Sequence, residues 1–186
     1  MFIYNCILST LCFIFWIYLI YAIFEITNKR APFVPAIGKH KQIAIHNISQ
    51  LLAKSSKQQT VIDAGCGSGN IIAKLAILFP DHKFIGIEHN KALYSYCINH
   101  WKNITNLQFA HQDLLTFDYS QTDIIYYFGI PPLTKQLETR LIKTDKQLNI
   151  ISIEEKFTEC FLISKTPFKI LNNTSYVYHY QNHLAK

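Results

Sequence analysis

The chain opens on a long apolar stretch without charge. From Phe2 to Phe24 every residue is uncharged, and isoleucine, leucine, phenylalanine, tyrosine and tryptophan dominate. As a helix these roughly 23 residues would extend about 35 Å, enough to cross a hydrocarbon core of about 30 Å. A signal peptide would begin with basic residues and end at a small-residue cleavage site, and a buried core helix is rarely apolar all round. The pattern therefore predicts a transmembrane anchor over residues 2–24.

The region behind this stretch predicts which way the chain faces. Lys29 and Arg30 follow the apolar residues, and basic residues beside a membrane span favour the cytoplasmic side. We therefore expect a single-pass membrane protein with the rest of the chain on the cytoplasmic side. Residues 25–39 form a linker, in which Pro32 and Pro35 with their apolar neighbours make a stiff, extended spacer.

From residue 40 to residue 183 the hydrophobic spacing predicts one domain of alternating helices and strands. Such alternation implies a mostly parallel sheet with helices on both faces, a Rossmann-like α/β fold, and a ligand site at the carboxyl ends of the strands. Strict alternation in the last strand suits an antiparallel position. Residues 161–163 either continue the fifth strand or form a separate one. The predicted helices are 44–52, 71–79 and 92–101, and the predicted strands are 61–63, 83–88, 108–111, 123–128, 148–153 and 175–180.

A glycine-rich turn follows the first predicted strand. Asp63 precedes Gly65, Gly67 and Gly69 on alternate positions. Glycine is expected where a Cβ would collide with a ligand or where φ must be positive. The third glycine comes one residue earlier than in the dinucleotide fingerprint, and Asp63 would repel a pyrophosphate but suit a cationic ligand. The turn therefore predicts close backbone approach to a ligand other than a dinucleotide.

Acids after the next two strands fall at suggestive positions. Glu88 ends the second strand, 19 residues past Gly69, close to the spacing of a carboxylate that accepts hydrogen bonds from ribose hydroxyls. Asp113 and Leu114 follow the third strand. The second strand end thus carries a group that suits a ribose, and the third carries a further acid.

The D-x-G-x-G-x-G motif after a strand resembles the first motif of S-adenosylmethionine-dependent methyltransferases with a Rossmann-like sheet. The resemblance implies S-adenosyl-L-methionine as the cofactor. It places Asp63 at the methionyl amino end and Glu88 at the ribose, with the three glycines close to the cofactor. It also implies that Asp113 binds the adenine amino group and that Leu114 flanks the ring.

The fourth predicted strand should carry the acceptor site. Amino-methylases of nucleic-acid bases have Asn/Asp-Pro-Pro-Tyr/Phe here, whereas this chain has Ile130 in place of the polar residue and Leu133 in place of the aromatic one. The aromatic side chains of this strand remain. The face of an aromatic ring attracts a cationic amine, and each such contact is worth about 0.5–2 kcal/mol. Our candidates for the acceptor channel are Tyr126, Phe128 and Pro131. Because strand residues alternate between faces, at least one aromatic of this strand should be core. No catalytic residue is assigned.

A narrower resemblance covers most of the chain after Lys29. The anchor, P-F-V-P, the glycine motif, I-E-x-N, D-L and F-G-I-P-P are similar to the protein-lysine methyltransferases of ATP synthase subunit c and the adenine nucleotide translocase, and to their archaeal relative. This implies a protein lysine as acceptor, and it moves Phe33 and Pro35 from spacer to site. The chain departs from that family at Asn90-Lys91 and at Ser68-Gly69-Asn70. Methylation of a small molecule, a lipid or RNA stays open, as does a catalytically silent tether.

Composition narrows the partners and bound groups to be expected. The net charge is +6 with pI near 9.0, without a dense basic block, so we do not expect a nucleic-acid partner. Five cysteines without C-x-x-C spacing argue against a disulfide framework and for a reducing compartment. Eight histidines without a ligand pair give no reason to expect a metal.

Overall fold

The computed structural model describes residues 2–27, 38–170 and 172–183, with side chains given from residue 7 to 23 in the first range. The chain divides into two compact units, Met1–Val34 and Pro35–Lys186. In the first unit α1 spans Phe2–Thr27. Most of its described apolar side chains are exposed, with Phe13 and Ile20 each 66% exposed. Among the described residues, no helix combines the length and the apolarity needed to cross a membrane, so the structure does not support the predicted transmembrane span.

The second unit holds the alternating elements that the spacing predicts. They are α2 (Lys39–Ala53), β1 (Thr60–Ala64), α3 (Asn70–Leu78), β2 (Lys83–Glu88), α4 (Lys91–His100), β3 (Leu107–His111), β4 (Ile124–Tyr127), α5 (Pro131–Leu141), β5 (Asn149–Ile153), β6 (Phe161–Ile170) and β7 (Asn173–Gln181).

These strands form one seven-stranded sheet in the order β3-β2-β1-β4-β5-β7-β6. Strands β1 to β5 are parallel to one another, and β7 lies antiparallel between β5 and β6. The predicted Rossmann-like, mostly parallel sheet with an antiparallel last strand is confirmed. Residues 161–163, which the sequence leaves ambiguous, begin β6 at the edge of the sheet.

One face of the sheet packs on α2 and α3. Ala44, Ile48 and Leu52 recur every fourth residue of α2, so they form one buried stripe. This stripe joins a core cluster that contains Ile72 of α3 and Val61 of β1. Burial of each large aliphatic side chain is worth about 1.5–3 kcal/mol. The stripe therefore fixes α2 against the sheet.

Helix α5, which packs on the opposite face, was not predicted from the hydrophobic spacing. Thr134 Oγ1 of α5 lies within hydrogen-bond distance of the Tyr127 hydroxyl, at 3.2 Å, and Leu133, Leu137 and Leu141 are buried. Pro131 supplies the first helical residue, a position where proline is favoured because no intrahelical N–H is needed there. Leucines at a spacing of four after two prolines would have identified this helix.

Candidate functional site

The glycine turn between β1 and α3 is fixed by the end of β2. The backbone N–H groups of Gly65 and Cys66 both donate to the carbonyl of Ile87, at 3.0 and 2.9 Å. Gly65, Gly67 and Gly69 have φ values of +89°, +56° and +72°. Side chains with a Cβ are disfavoured in this left-handed region. The positive φ thus explains the predicted need for glycine at all three positions.

The three glycines differ in what surrounds them. A Cβ on Gly69 would lie 2.9 Å from Phe109 Cε1 and 3.1 Å from Trp101 Nε1. A Cβ on Gly65 would meet nothing closer than Leu114 Cδ2 at 3.9 Å, and Gly65 is exposed whereas Gly69 is buried. The absence of a side chain at Gly69 therefore leaves space for Phe109 and Trp101. Gly65 is the glycine with room for a ligand beside it.

Helix α4 closes over the turn through contacts that the sequence analysis misses. Trp101 Nε1 donates to the carbonyl of Ser68 at 2.9 Å, and the buried Cys97 thiol donates to the carbonyl of Gly67 at 3.2 Å. Both side chains were predicted only as part of an amphipathic helix. Their partners lie about 30 residues away in the chain, so helical spacing gives no signal for them.

Glu88 joins the turn to the start of α4. Its side chain is buried, Oε2 accepts from the N–H of Gly67 at 2.9 Å, and Oε1 accepts from the N–H of Asn90 at 2.7 Å. The Asn90 side chain in turn caps α4 by accepting from the N–H of Ala92 at 2.9 Å. A carboxylate has about four acceptor positions, so the predicted ribose contact would use those that remain.

Asp63 is a buried carboxyl group that lacks a hydrogen-bond partner among the described residues. It is 4% exposed, and burial together with the nearby charge of Glu88 raises its pKa to about 8. On the same face Tyr126 is its register partner across β1 and β4. The Tyr126 hydroxyl is also buried and has no partner, and burial raises the pKa of this phenol well above its ordinary value.

Burying these two adjacent polar groups is costly, since the Tyr126 hydroxyl has lost its hydration and the Asp63 carboxyl has lost most of it. A cationic amine would compensate the Asp63 carboxylate by charge and hydrogen bonding. The amino end of an S-adenosyl-L-methionine molecule is such a group. This part of the site therefore fits the predicted cofactor.

The residues after β3 lie beside the turn. Leu114 is buried next to Gly65, and its carbonyl accepts from the Tyr119 hydroxyl at 2.8 Å. Asp113 is exposed, and its Oδ1 accepts from the N–H of Leu115 at 2.8 Å. The structure thus brings Leu114 to the turn, while the described contact of Asp113 serves its own loop. The adenine roles of both residues stay predictions.

The predicted channel residues do not share one surface. Tyr126 is 3% exposed within the core, Phe128 is half-buried at the end of β4, and Pro131 is exposed at the start of α5. Tyr127 is buried on the opposite face against Phe157. The expectation that at least one aromatic of this strand is core is confirmed. Phe33 and Pro35 lie outside the described residues.

A second group of side chains gathers where β5 ends, and the sequence analysis misses it. Glu154 Oε1 accepts from His40 Nε2 at 3.0 Å and from Ser175 Oγ at 2.8 Å. The His40 ring also lies 5.3 Å from the ring of Phe128, centroid to centroid. Burial acts in the opposite direction, but the hydrogen bonds from His40 and Ser175 lower the pKa of Glu154 below its ordinary value. Glu155 points elsewhere, because its Oε2 accepts from Thr134 at 3.0 Å.

Comparison with known proteins identifies the fold family. A family model described as a methyltransferase domain matches residues 55–177, which is 123 of the 186 residues. A search of curated proteins finds no match.

Among solved structures, the chain is similar in fold to an RNA methyltransferase from Salinibacter ruber in complex with S-adenosyl-L-homocysteine. The TM-score is 0.65 at 17% identity, and 80% of this chain and 93% of that chain are covered. The N-methyltransferase NodS from Bradyrhizobium japonicum gives a TM-score of 0.58 at 10% identity, covering 76% and 96%. The putative methyltransferase yhhF from Escherichia coli gives 0.58 at 13% identity, covering 82% and 92%.

Proposed function

We propose that this chain methylates an amine nitrogen, with a protein lysine as the leading acceptor. The chain belongs to the methyltransferase-domain family and is an S-adenosylmethionine-dependent methyltransferase. Bound S-adenosyl-L-methionine supplies a methyl group on a positively charged sulfur. The residues proposed to hold it are those at the carboxyl ends of β1, β2 and β3. They are Asp63, Gly65, Gly67, Gly69, Glu88, Asp113 and Leu114.

The observation that carries the amine proposal is the set of side chains that follow β4 and β5. Phe128 and Ile130, which follow β4, are half-buried and apolar. Glu154 and Glu155, which follow β5, add two carboxylates at the neighbouring strand end, the first bonded to His40 and the second directed toward Thr134 of α5. Carboxylates attract an ammonium group, and an aromatic face holds its methylated forms.

The same strand ends disfavour methylation of a nucleobase amine. Such an acceptor needs a hydrogen-bond acceptor for its exocyclic amino group, and a buried polar group without a partner is costly. Ile130 supplies no side-chain acceptor at that position. The Salinibacter ruber structure is named as an RNA methyltransferase, but at 17% identity its likeness supports the fold and not the substrate.

A labelling experiment tests the acceptor. The purified chain is incubated with methyl-tritiated S-adenosyl-L-methionine and a fractionated cell lysate, and the labelled material is hydrolysed. We expect label in protein, recovered as methylated lysine. The Glu88→Ala variant should give no label, because two backbone N–H groups of the turn region lose their acceptor. Asp81→Ala, an exposed acid outside the site, serves as the matched control.

Other results would select other functions. Label in RNA, lipid or small molecules would replace the lysine proposal with the corresponding acceptor. Calorimetric binding of S-adenosyl-L-homocysteine without transfer to any fraction would indicate a catalytically silent binding module.

Attachment to a membrane, with the methyltransferase unit on the cytoplasmic side, is a separate proposal supported by α1. The side chains of Phe13, Trp16 and Ile20 are 66%, 59% and 66% exposed, and contact with lipid would remove this apolar surface from water. In vesicle flotation the full chain should float with phosphatidylcholine vesicles, and a variant with Phe13→Lys and Ile20→Lys should stay behind. Equal recovery of both proteins with the vesicles, or of neither, would contradict the proposal.

A further inference from the structure

We propose that His40 is the residue that accepts the proton of the methyl acceptor, and that Glu154 positions it. The inference rests on the proposed function, since it assigns a base to the same acceptor site. It is carried by the geometry of four segments that meet at the carboxyl end of the sheet.

The His40 ring is held from three sides. Its Nε2 lies 3.0 Å from Glu154 Oε1, and its ring packs against Phe128 at 5.3 Å and edge-on against Phe168 at 5.6 Å between centroids. A carboxylate accepts hydrogen bonds and does not donate, so Nε2 carries the hydrogen. The other nitrogen, Nδ1, then has a free lone pair. This is the tautomer that a proton-accepting histidine requires.

The backbone at Glu154 is unusual in a way that serves this contact. Among the described residues Glu154 is the one non-glycine with positive φ, at 66°. The N–H of Glu155 donates to the carbonyl of Ile153 at 2.8 Å, which makes Glu154 the centre of a γ-turn of the rarer, more strained form. The turn sends the Glu154 carboxylate toward α2 and the Glu155 carboxylate toward α5. Strain of this kind persists where surrounding contacts enforce it, and it concentrates at functional sites.

The position of His40 along the edge suits transfer from the predicted cofactor. In the sheet order β4 lies between β1 and β5. Phe128, just past β4, therefore separates the glycine turn from Glu154. Strands β1 and β5 are about 10 Å apart, which is two strand spacings. Phe128 lies two residues beyond Tyr126, on the face that also carries Asp63. His40 thus lies over the end of β4, the strand that pairs with β1 and so with the strand of Asp63.

The chemistry balances with groups that the site supplies. A lysine acceptor arrives as an ammonium ion. One of its N–H bonds breaks, the electron pair stays on nitrogen, and the proton passes to Nδ1 of His40. The amine lone pair is then free to form the new N–C bond as the S–C bond breaks toward sulfur. The imidazolium is stabilised by the Glu154 carboxylate until its proton passes to water.

The test compares His40→Gln, Glu154→Gln and the control His46→Gln in the full chain. His46 lies exposed on the same helix, α2. With lysate protein as the acceptor probe, we expect initial methylation to fall at least 100-fold in His40→Gln and about tenfold in Glu154→Gln, and to stay unchanged in His46→Gln. Calorimetric affinity for S-adenosyl-L-homocysteine should stay within threefold in all three variants. Imidazole in the buffer should restore part of the His40→Gln rate.

One further readout separates a base from a structural role. Nitrogen NMR of histidine-labelled protein should show His40 as the Nε2–H tautomer in the wild type, and a mixture of tautomers in Glu154→Gln, because the Glu154 carboxylate accepts the hydrogen bond from Nε2.

Defined results would overturn the proposal. An Nδ1–H tautomer in the wild type, or a His40→Gln rate within twofold of wild type, would remove His40 from the chemistry. If the wild type binds S-adenosyl-L-homocysteine but labels no protein, the proposed function fails, and the tautomer measurement still decides the His40–Glu154 geometry on its own.

Discussion

The proposed cofactor end of the sheet, at the glycine turn, and the proposed acceptor end, at Glu154, lie on either side of β4 but are built in opposite ways. At the cofactor end a short glycine turn is held by Ile87, Glu88 and Trp101, and its conformation requires glycine at three positions. At the acceptor end ordinary residues from distant parts of the chain meet, with His40 and Ser175 on either side of Glu154. The first end is specified by a local motif, and the second by the packing of the whole sheet. We therefore expect that one substitution in the glycine turn disrupts the whole turn. A substitution near Glu154 should remove only the contact made by that residue.

The largest effect is expected at Gly69. In Gly69→Ala the new methyl group would lie about 3 Å from Phe109 and Trp101, and the positive φ adds strain. Together these should lower the free energy of unfolding by about 2–4 kcal/mol and abolish binding of S-adenosyl-L-homocysteine. Urea unfolding and calorimetry measure the two effects.

Gly65→Ala is the matched control, because φ is also positive at Gly65 but the nearest side-chain atom is 3.9 Å from the new Cβ. It should cost about 1–2 kcal/mol. Equal losses in the two variants would show that packing against Phe109 and Trp101 does not define the turn.

The next effect concerns pH and Asp63. Since burial and Glu88 raise the folded pKa to about 8, from an ordinary value near 3.9, the folded state favours the protonated carboxyl. The stability that this contributes is fully present below the unfolded pKa and is lost as pH rises through about 8. The Asp63→Asn variant should therefore gain stability relative to wild type as pH rises from 4 to 8, as measured by thermal unfolding.

Cofactor affinity should move the other way. A bound ammonium group favours the ionised carboxylate, so wild-type affinity for S-adenosyl-L-homocysteine should rise by up to tenfold per pH unit toward pH 8. Asp63→Asn should bind weakly at every pH. A wild-type affinity that is flat between pH 6 and 8 would contradict a raised pKa at Asp63.

A smaller effect is expected at Trp101. Trp101→Phe keeps an aromatic ring near Gly69 but removes the hydrogen bond to the Ser68 carbonyl. We expect a loss of about 1 kcal/mol in unfolding free energy and a several-fold weaker S-adenosyl-L-homocysteine complex. Tyr96→Phe, on the exposed side of the same helix, should change neither. A Trp101→Phe variant with wild-type affinity would show that α4 does not hold the turn in its binding conformation.

The smallest effect should come from Ser175 at the acceptor end. Ser175→Ala removes one of two hydrogen bonds to Glu154 Oε1 at an exposed position, which should cost less than about 1 kcal/mol. Cofactor affinity should stay unchanged, since β7 lies at the far side of β5 from the glycine turn. A change in cofactor affinity comparable to that of Trp101→Phe would mean that the two ends are coupled.

The same contrast explains how much could be predicted from the sequence. Strand, turn and helix around Asp63 are encoded within 19 residues, 60–78, and the hydrophobic spacing predicts the parallel strands. Glu88 ends the neighbouring strand, so its place beside the turn follows from the sheet order. Local patterns thus predicted the fold of the second unit and the glycine turn at which we propose the cofactor site.

What the sequence did not predict depends on contacts between distant residues. No spacing rule links His40 to Glu154, which is 114 residues away. A single glutamate at the end of a strand also gives no sign that it will adopt positive φ. Tyr126 was predicted to line the acceptor channel, yet it is buried beside Asp63, because strand alternation places it on the core face. Helix α5 was missed for a different reason, since its two prolines were considered only as part of a substrate motif.

The position of Trp101 makes the glycine turn optically observable. The chain has two tryptophans, and Trp16 lies in α1. In a Trp16→Phe background all tryptophan emission would come from an indole whose N–H is bonded to the turn itself. Titration with S-adenosyl-L-homocysteine should then change the intensity or wavelength of that emission. The chain thus contains its own fluorescent reporter of cofactor binding, without an added label.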